Sequence, residues 1–347
     1  MTRRTKRFTL TIILCIVVGA IALGGVYVSS IVKELQGLQK EGESSPFHNI
    51  EHIDQEQTIE PPVWEGDEVV NILIMGVDAR GMKEGEIPRS DAMLVASLDP
   101  EAKKISLFSL MRDSYVEIPG YNNNRINTAI THGPNVAMQA ASDLLGIPVQ
   151  YYVYTDFQGF IKLVDALGGV DFEVEKDLYY VSKADNHQYD IDLKQGMQHL
   201  DGEKALMYVR FRHDAMSDFA RTERQRELLK AIADKMLTSS SIAKLPSILN
   251  EINPYIDTNL SLNDIWKLAS LGYQSTLQGS EQIPPMSLLK EERIGGAAVL
   301  TVRDEEELKS YVKDVLKPAD AQTEEVPENR IDDNDMSLEE SSEKVTY

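Results

Sequence analysis

The chain has 347 residues, of which 56 are acidic and 35 are basic, and its formal net charge is −21. A chain of this length buries a sizeable core in one large domain or in two ordinary ones. A protein this acidic has no general electrostatic attraction to nucleic acid or to anionic lipid, so nucleic acid is excluded as a general partner. Any anionic ligand therefore requires a local cluster of positive charge.

The N-terminal residues have the pattern of a membrane anchor. Four of residues 1–7 are basic, and the 21 residues from Phe8 to Val28 carry no charge. A helix needs about 20 residues to cross the hydrocarbon core, whereas the apolar region of a cleaved signal peptide has about 7–15. Because basic residues stay on the cytoplasmic side, we predict a cytoplasmic segment at 1–7 and a single-pass signal-anchor at 8–28. The rest of the chain is then extracellular, held at the cell membrane by this one N-terminal helix.

The segments on either side of the predicted domain are polar. Residues 29–67 contain few large apolar side chains, and we predict that they form a stalk. Residues 318–347 carry ten acidic and two basic residues and are predicted to be a disordered tail. Residues 68–317 remain as the extracellular domain. The only cysteine, Cys15, lies within the predicted span, so this domain has no disulfide and depends on its own core.

Within the domain, short apolar runs alternate with segments of helical period. Strands are predicted at 69–77, at 91–98 and 104–110 as a hairpin, and at 151–156, 170–174 and 297–302. Helices are predicted at 136–145, 157–167, 221–237 and 261–273, and after an N-cap at Asp304. Because one hairpin is antiparallel while strands and helices otherwise alternate, we predict an α/β fold. Its architecture is a mixed, largely central β-sheet with helices on both faces.

Arginines are concentrated in one stretch of this acidic chain, since five of the 15 fall between Arg210 and Arg226. A charge run is usually a solvated, salt-bridged helix face. The segment YVRFR (208–212), however, alternates like a strand, which would place Arg210 and Arg212 on one face about 6.5–7 Å apart. Two rigid guanidinium groups at this spacing suit two linked phosphates.

The predicted helix 221–237 supports an inward orientation for part of the cluster. Its apolar stripe consists of Leu228, Leu229, Ile232 and Met236. At about 100° per residue, Arg221 and Gln225 continue this stripe toward the N-terminal end. Arg224 lies on the flank and Arg226 further round, so these two are predicted to be solvated. The residues predicted to converge on a buried anionic ligand are Arg210, Arg212, Arg221 and Gln225.

Further charged residues lie where predicted strands begin or end. Asp78 ends the first strand, Arg89 and Asp91 begin the second, and Arg112 ends the third. In open sheets, ligands bind where strands end and loops begin. Two carboxylates would neutralise the arginines unless a divalent cation linked them to phosphate, and Mg²⁺ prefers such oxygen ligands. On spacing alone, strand-end caps and salt bridges explain the two aspartates equally well.

Several segments together resemble a known family. In chain order they are ILIMGVDAR, RSDAMLVASLDP, ISLFSLMRDSYVEIPG, RINTAITHG, YYVYTDFQGFIKLVDALGGVDFEV, LDGEKALMYVRFRHD and SDFARTERQ. Over roughly residues 70–236 the chain resembles the LytR-CpsA-Psr family of Gram-positive bacteria. One departure is Pro134, where the family often repeats glycine after Gly133.

The resemblance implies a topology and an activity. Family members have a short cytoplasmic N-terminus, one membrane span and an outer catalytic domain. They are taken to transfer anionic glycopolymers, such as wall teichoic acid, from an undecaprenyl-diphosphate carrier to peptidoglycan. The attachment is a phosphodiester to the 6-hydroxyl of N-acetylmuramic acid. The polyprenyl tail lies in an apolar tunnel between sheet and helices.

The resemblance also implies roles for individual residues. Asp78 and Asp91 would hold Mg²⁺ at the diphosphate and, with Arg112, form the catalytic group. The residues that would bind the diphosphate oxygens are Arg89, Arg112, Arg210, Arg212, Arg221 and Gln225. A carboxylate bound to Mg²⁺ is a poor base, and the acceptor of the hydroxyl proton stays open between Asp78 and Asp91.

Two alternative functions remain at this point. Water could replace the acceptor hydroxyl in the same site, which would make the protein a polyprenyl-diphosphate hydrolase. The family's older description as attenuators of transcription suggests a non-catalytic, envelope-linked regulator. Against the regulator stand the predicted extracellular location, the acidic composition and the lack of a nucleic-acid-binding motif.

Overall fold

The computed structural model describes residues 24–50, 59–83, 85–181, 190–212 and 217–317. Most of the predicted membrane span and the whole predicted acidic tail lie outside these residues. Within the described ranges, no helix combines the length and the apolar character needed to cross a bilayer. The single-pass anchor and the disordered tail therefore stay predictions.

The described residues form a succession of short strands and helices. The strands are β1 (Val70–Val77), β2 (Ser90–Asp99), β3 (Lys104–Leu110), β4 (Tyr115–Val116), β5 (Asn124–Arg125), β6 (Tyr151–Asp156), β7 (Val170–Val174), β8 (Leu178–Tyr180), β9 (Ile191–Leu193), β10 (Gly196–Leu200), β11 (Ile256–Thr258), β12 (Thr276–Ile283), β13 (Leu289–Ile294) and β14 (Ala297–Val302). The α-helices are α1 (24–36), α2 (Pro134–Leu145), α3 (Phe157–Ala166), α4 (Gly202–Arg210), α5 (Ser217–Met236), α6 (Ser239–Ala243), α7 (Leu245–Ile252), α8 (Leu262–Gln274) and α9 (Glu305–Leu316).

Six of the strands form one central sheet in the order β11-β6-β1-β2-β3-β12. The pairs β1–β6 and β3–β12 are parallel, and the other neighbours are antiparallel, including the predicted hairpin of β2 and β3. The prediction of a mixed central sheet is thus confirmed. The predicted strands at 170–174 and 297–302 also form, but each belongs to a separate two-stranded sheet, with β10 and β13 respectively.

Helices cover both faces of the central sheet, as predicted. On one face, alternate β1 residues such as Leu73 and Met75 pack in a core with side chains of α2 and α9, among them Met138 and Leu308. On the other face, α8 and Trp64 cover one end of the sheet. The opposite end of that face lies beneath α3, α4 and α5, and the candidate site is located there.

The segment YVRFR is not a strand, so the prediction for 208–212 was wrong. Residues 202–210 form α4, whose N-cap Asp201 accepts a hydrogen bond from the backbone N–H of Lys204. The buried residues of α4 include Ala205 and Tyr208, which have helical spacing. Alternation over only five residues was too short to outweigh the cap and this period. The chain becomes extended at Phe211, immediately after the helix ends.

The N-terminal segment packs on the domain. Ile31, Leu35 and Leu38 are buried in a cluster with Leu249 and Ile252 at the end of α7. This part of the segment predicted to be a stalk therefore contributes to the core, although apolar residues are sparse in it. The predicted bounds of stalk and domain at 67/68 stay predictions.

A buried carboxylate fastens the same segment to the edge of the sheet. Asp257 on β11 is 2% exposed and accepts hydrogen bonds from the Ser45 hydroxyl at 2.6 Å and the Tyr152 hydroxyl at 2.9 Å. Burial raises the pKa of Asp257, and these two hydrogen bonds and the charge of Lys40 offset only part of that rise. Its ionised form is thus less favourable in the folded protein than in the unfolded chain.

The raised pKa of Asp257 makes stability depend on pH. A raised carboxyl pKa stabilises the fold below the unfolded value of about 3.9, and that contribution is lost as pH rises through the folded value. Asp257→Asn cannot ionise, and its amide oxygen can still accept from Tyr152. We expect the melting temperature of the parent, relative to the variant, to fall between pH 4 and pH 7. Thermal melting of both proteins across this range tests it, and parallel curves would contradict the expectation.

Candidate functional site

The two predicted acidic site residues lie at the same edge of the sheet. Asp78 follows the last residue of β1, and Asp91 is the second residue of β2, which pairs antiparallel with β1. Val77 is paired with Ser90 and Gly76 with Ala92, so Asp91 is the extra residue of a β-bulge. Bulges redirect side chains next to functional sites. Asp91 accordingly lines the same cavity as Ala92, its neighbour in sequence.

Asp78 is held by an arginine that was not predicted. Arg80 donates to both carboxylate oxygens, from Nε to Oδ1 at 2.6 Å and from Nη2 to Oδ2 at 2.5 Å. Burial would raise the pKa of Asp78, but the hydrogen bonds and charge of Arg80, with the charge of Arg210, together bring it below its usual value. Asp78 is therefore a carboxylate at neutral pH. Its closeness to Arg80 could have been read from the sequence, since only one residue separates them after the strand end.

Asp91 is the meeting point of two predicted arginines. Its Oδ1 accepts from Nη1 of Arg112 at 2.7 Å and from Nη2 of Arg212 at 3.3 Å. Arg112 also lies 3.6 Å from Asp113, measured from Nε to Oδ2. All four side chains are mostly buried: Asp91 is 29%, Arg112 24%, Asp113 26% and Arg212 37% exposed. The end of β3, the start of β2 and the chain after α4 thus converge on one carboxylate.

Two adjoining cavities meet at this cluster. The first, which we call the charged cavity, has a volume of about 270 Å³ and is lined by Asp78, Asp91, Phe157, Tyr180, Ile191, Arg210 and Arg212. The second, the apolar cavity, has a volume of about 130 Å³ and lies between the sheet and α3–α5. Its apolar lining includes Ile74, Leu94, Phe160, Leu206, Val209 and Leu229. The cavities are continuous in their lining, because both are lined by Asp91, Phe157, Arg210 and Arg212.

Phe157 organises the boundary between the cavities. It is the first residue of α3, whose N-cap Asp156 accepts a hydrogen bond from the backbone N–H of Gly159. The guanidinium carbons of Arg80 and Arg210 lie 5.2 Å and 5.8 Å from the centre of its ring. Cations at this distance are attracted to the face of an aromatic ring. One aromatic side chain thus orients two positive charges beside Asp78.

The first turns of α5 bring two further predicted residues to the apolar cavity. Arg221 is 2% exposed, and both Arg221 and Gln225 line that cavity together with Leu229. The inward orientation predicted from the helical period is therefore found. Ligand binding by these residues stays a prediction.

Arg224 and Arg226 are not solvated, which corrects the prediction for both. Arg224 is 3% exposed and donates to the carbonyl of Phe211 at 2.9 Å and to Glu175 at 3.1 Å. Arg226 is half-buried, and burial lowers its pKa. The helical stripe indicated only one buried face, but α5 packs against both β7 and β12. These strands are distant in sequence, so the period of the helix contains no signal for them.

Arg224 is a positioning residue that sequence reasoning missed. By bonding the Phe211 carbonyl, it fixes the backbone between Arg210 and Arg212, which both line the charged cavity. Its carboxylate partner Glu175 also accepts from the buried hydroxyl of Tyr208 in α4. Arg224 of α5 therefore bonds directly to the residue that follows α4, and Glu175 accepts hydrogen bonds from both helices.

One predicted site residue lies apart from the others. Arg89 is exposed and lines neither the charged nor the apolar cavity. It precedes β2 by one residue, on the other side of the bulged Asp91. Its predicted contact with a diphosphate stays a prediction.

The charged cavity has the side chains of an anion-binding site, and the adjoining apolar cavity has those of a site for a hydrocarbon group. Arginines from three parts of the chain surround two carboxylates, and the space behind them is lined by aliphatic and aromatic side chains. Among the described residues, no group of three or more His, Cys, Asp or Glu side chains is arranged to hold a metal ion. A cation here would have Asp78 and Asp91 as its protein ligands and would need further oxygens from a ligand or water.

Comparison with known proteins assigns most of the chain to one family. The model described as "LytR_cpsA_psr family" matches residues 28–315. The chain belongs to the LytR-CpsA-Psr family. The resemblance seen in the sequence motifs is thereby confirmed and extends to the C-terminal part of the domain.

Several members of the LytR-CpsA-Psr family are similar to this chain. "Regulatory protein MsrR" of Staphylococcus aureus is 32% identical over 225 residues, covering 64% of this chain and 65% of that protein, slightly under two thirds. The "polyisoprenyl-teichoic acid--peptidoglycan teichoic acid transferase TagU" of Bacillus cereus is 34% identical over 219 residues, covering 62% of this chain and 68% of TagU. A solved structure of the family protein YwtF (TagT) "with bound octaprenyl pyrophosphate lipid" has a TM-score of 0.58 and 25% identity, covering 76% of this chain and 99% of that one.

The position of Arg221 generates a test within one helix. Arg221 lines the apolar cavity, whereas Arg226, five residues later, does not. A charge-assisted contact to a buried phosphate contributes about 1.5–3 kcal/mol, so Arg221→Ala should weaken polyprenyl diphosphate binding about tenfold to a hundredfold. Arg226→Ala should leave that affinity nearly unchanged.

The measurement is affinity for a polyprenyl diphosphate by titration, with thermal melting to detect loss of folding. Arg226 is the matched control because it has the same chemistry in the same helix and is also partly buried. Equal losses of affinity in two folded variants would contradict the assignment of Arg221 to the anion site.

Proposed function

We propose that this protein is a membrane-anchored phosphotransferase. It moves an anionic cell-wall glycopolymer, such as wall teichoic acid, from an undecaprenyl-diphosphate carrier to the 6-hydroxyl of N-acetylmuramic acid in peptidoglycan. The observation that carries the proposal is the junction of the charged and apolar cavities at Asp91, Phe157, Arg210 and Arg212. A ligand that fills both has an anionic head joined to an apolar group, as the first part of a polyprenyl diphosphate does.

The similar proteins support this substrate class. TagU is named as a transferase of teichoic acid from a polyisoprenyl carrier to peptidoglycan, and the TagT structure is described with a bound octaprenyl pyrophosphate. The TagT match covers 99% of the solved chain and 76% of this one. The extracellular location and the N-terminal anchor form part of the proposal, because peptidoglycan lies outside the membrane.

The residues of the site then have distinct roles. Arg210, Arg212 and Arg221 bind diphosphate oxygens, and Arg112 stabilises charge that develops during transfer. The acceptor hydroxyl attacks the phosphorus that carries the glycan, and polyprenyl phosphate leaves with the electrons of the broken P–O bond. Fixed positive charges favour this step because they need no reorganisation as the phosphoryl oxygens become more negative. The hydroxyl proton goes to Asp78 or Asp91, and the lowered pKa of Asp78 makes that residue a weak acceptor.

The donor set fits Mg²⁺. Asp78 and Asp91 line one cavity, and their ligand atoms are carboxylate oxygens only. Arg112 and Arg212 both donate to Oδ1 of Asp91, and Asp78 and Asp91 would together hold the ion. Mg²⁺ is bound by one or two carboxylates together with substrate phosphates and water. When bound, the ion would neutralise charge on the diphosphate.

Transfer and hydrolysis are separated by the acceptor. Purified full-length protein in detergent is incubated with lipid-linked glycan, with and without peptidoglycan oligomers. We expect glycan-modified oligomers and polyprenyl phosphate only when oligomers are present. Equal release of polyprenyl phosphate without the acceptor would identify a hydrolase instead. If neither transfer nor hydrolysis occurs, the result would contradict an enzymatic function and favour the regulatory role for which MsrR is named.

The metal proposal is tested by Asp91. Asp91→Asn keeps the shape of the side chain but removes the charge that pairs with Arg112 and Arg212 and would hold the ion. We expect a folded variant without transferase activity, and we expect excess EDTA to abolish transfer by the parent protein until Mg²⁺ is restored. Calorimetric titration with Mg²⁺ in the presence of polyprenyl diphosphate supplies a readout besides turnover. Full activity in EDTA would rule out the metal.

A further inference from the structure

A cluster of exposed apolar side chains lies at the far end of α5. Met236, Leu237 and Ile242 are 39%, 52% and 45% exposed. We call these three residues the α5–α6 corner, since Met236 ends α5, Leu237 follows it and Ile242 lies in α6. Single exposed apolar residues are ordinary on protein surfaces, but several together indicate a surface that binds a protein, a membrane or a ligand.

The corner lies where the chain is predicted to leave the membrane. The Tyr27 hydroxyl donates to the backbone carbonyl of Ile242, and Tyr27 packs in the same cluster as Leu245 at the start of α7. Tyr27 belongs to α1 and is the penultimate residue of the uncharged span 8–28. Its neighbours Val26 and Val28 are 67% and 49% exposed. Tyrosine is typical of the level at which a helix passes from hydrocarbon to head groups.

The local charge suits a bilayer surface although the chain as a whole is acidic. Residues 235–246 contain Lys235 and Lys244 and no acidic residue, in a chain of net charge −21. Lys244 follows α6 directly and is exposed. Apolar side chains flanked by lysines are the composition of segments that lie in the head-group region, where each basic residue near anionic lipid contributes about 1 kcal/mol.

The helix that ends at the corner begins at the anion site. Arg221, Gln225 and Leu229 on α5 line the apolar cavity. Met236 follows Leu229 by seven residues, which places it on the same face of the helix about 10 Å further along. The distance along α5 from Arg221 to Met236, its last residue, is about 22 Å. One helical face thus runs from the anion site, past the apolar cavity, to the exposed corner.

We propose that the α5–α6 corner seats on the outer surface of the lipid bilayer beside the N-terminal span. The bilayer is its occupant, and the carrier's polyprenyl chain enters the apolar cavity from that side along α5. Both halves of this statement rest on the proposed function, the seating through its N-terminal anchor and the entry route through its polyprenyl carrier. The inference places the end of α5 that carries Met236, and not the end that carries Arg221, against the membrane surface.

Fluorescence quenching tests the seating. In a Cys15→Ser background, Ile242→Cys and Leu237→Cys are labelled with an environment-sensitive fluorophore and the full-length protein is placed in phosphatidylglycerol nanodiscs. Met286→Cys is the matched control, because Met286 is 57% exposed and lies between β12 and β13. We expect lipid-borne nitroxide to quench the labels at 237 and 242 several-fold more than the label at 286, and aqueous iodide to show the reverse order. Equal iodide quenching at all three positions would overturn the proposal. Protection from both quenchers would do so too, because another protein segment or a second copy would then cover the corner.

A second measurement tests entry of the carrier. In a double variant, Leu237→Glu and Ile242→Glu replace exposed apolar groups with charges, so folding should persist, as melting in detergent can verify. Uptake of polyprenyl diphosphate from the nanodisc bilayer should slow about tenfold or more. Affinity for a short, water-soluble prenyl diphosphate should stay at the parent value. If the parent protein does not bind the short prenyl diphosphate, the proposed function is refuted, and the quenching result stays valid. Unchanged uptake in the variant would overturn the entry route.

Discussion

The site depends on the pairing of Asp91 with Arg112 and Arg212. Guanidinium groups brought together without an anion repel one another, and two charges 4 Å apart at an effective dielectric constant of 20 interact by about 4 kcal/mol. Asp91 accepts from both arginines through one oxygen and reaches this position because it is the extra residue of the bulge in β2. The bulge in the sheet thus sets the position of the carboxylate that neutralises the two arginines.

The remaining positive charges are held by contacts with other parts of the scaffold. Arg224 bonds the carbonyl of Phe211 and thereby fixes the chain between two cavity-lining arginines. Phe157, at the start of α3, lies beneath the guanidinium groups of Arg80 and Arg210. The buried hydroxyl of Thr222 donates to Gln282 on β12, which fastens α5 to the edge of the sheet. The cluster is therefore preorganised by the scaffold, as a site that stabilises developing charge requires.

In the proposed topology, the position of the N-terminal helix relates this site to the membrane. α1 packs on α7, reaches α6 through Tyr27, and is followed by a segment that Asp257 fastens to the sheet edge through Ser45. These contacts restrict how the domain can be oriented relative to the proposed anchor. A fixed orientation suits a protein whose proposed donor is embedded in the bilayer and whose acceptor is a polymer outside it.

The sequence by itself determined the elements whose signals are local. Apolar runs and caps were sufficient for the strands β1–β3, the helix capped by Asp304 and the mixed sheet, and the helical period was sufficient to orient Arg221 and Gln225 inward. The motifs, which occur in the same chain order as in the family, were sufficient to recognise the family. Only the tertiary structure decided the burial of Arg224 and the position of Arg89 outside both cavities. Each of these outcomes depends on strands and helices that are distant in sequence, and local spacing contains no information about which elements pack together in the fold.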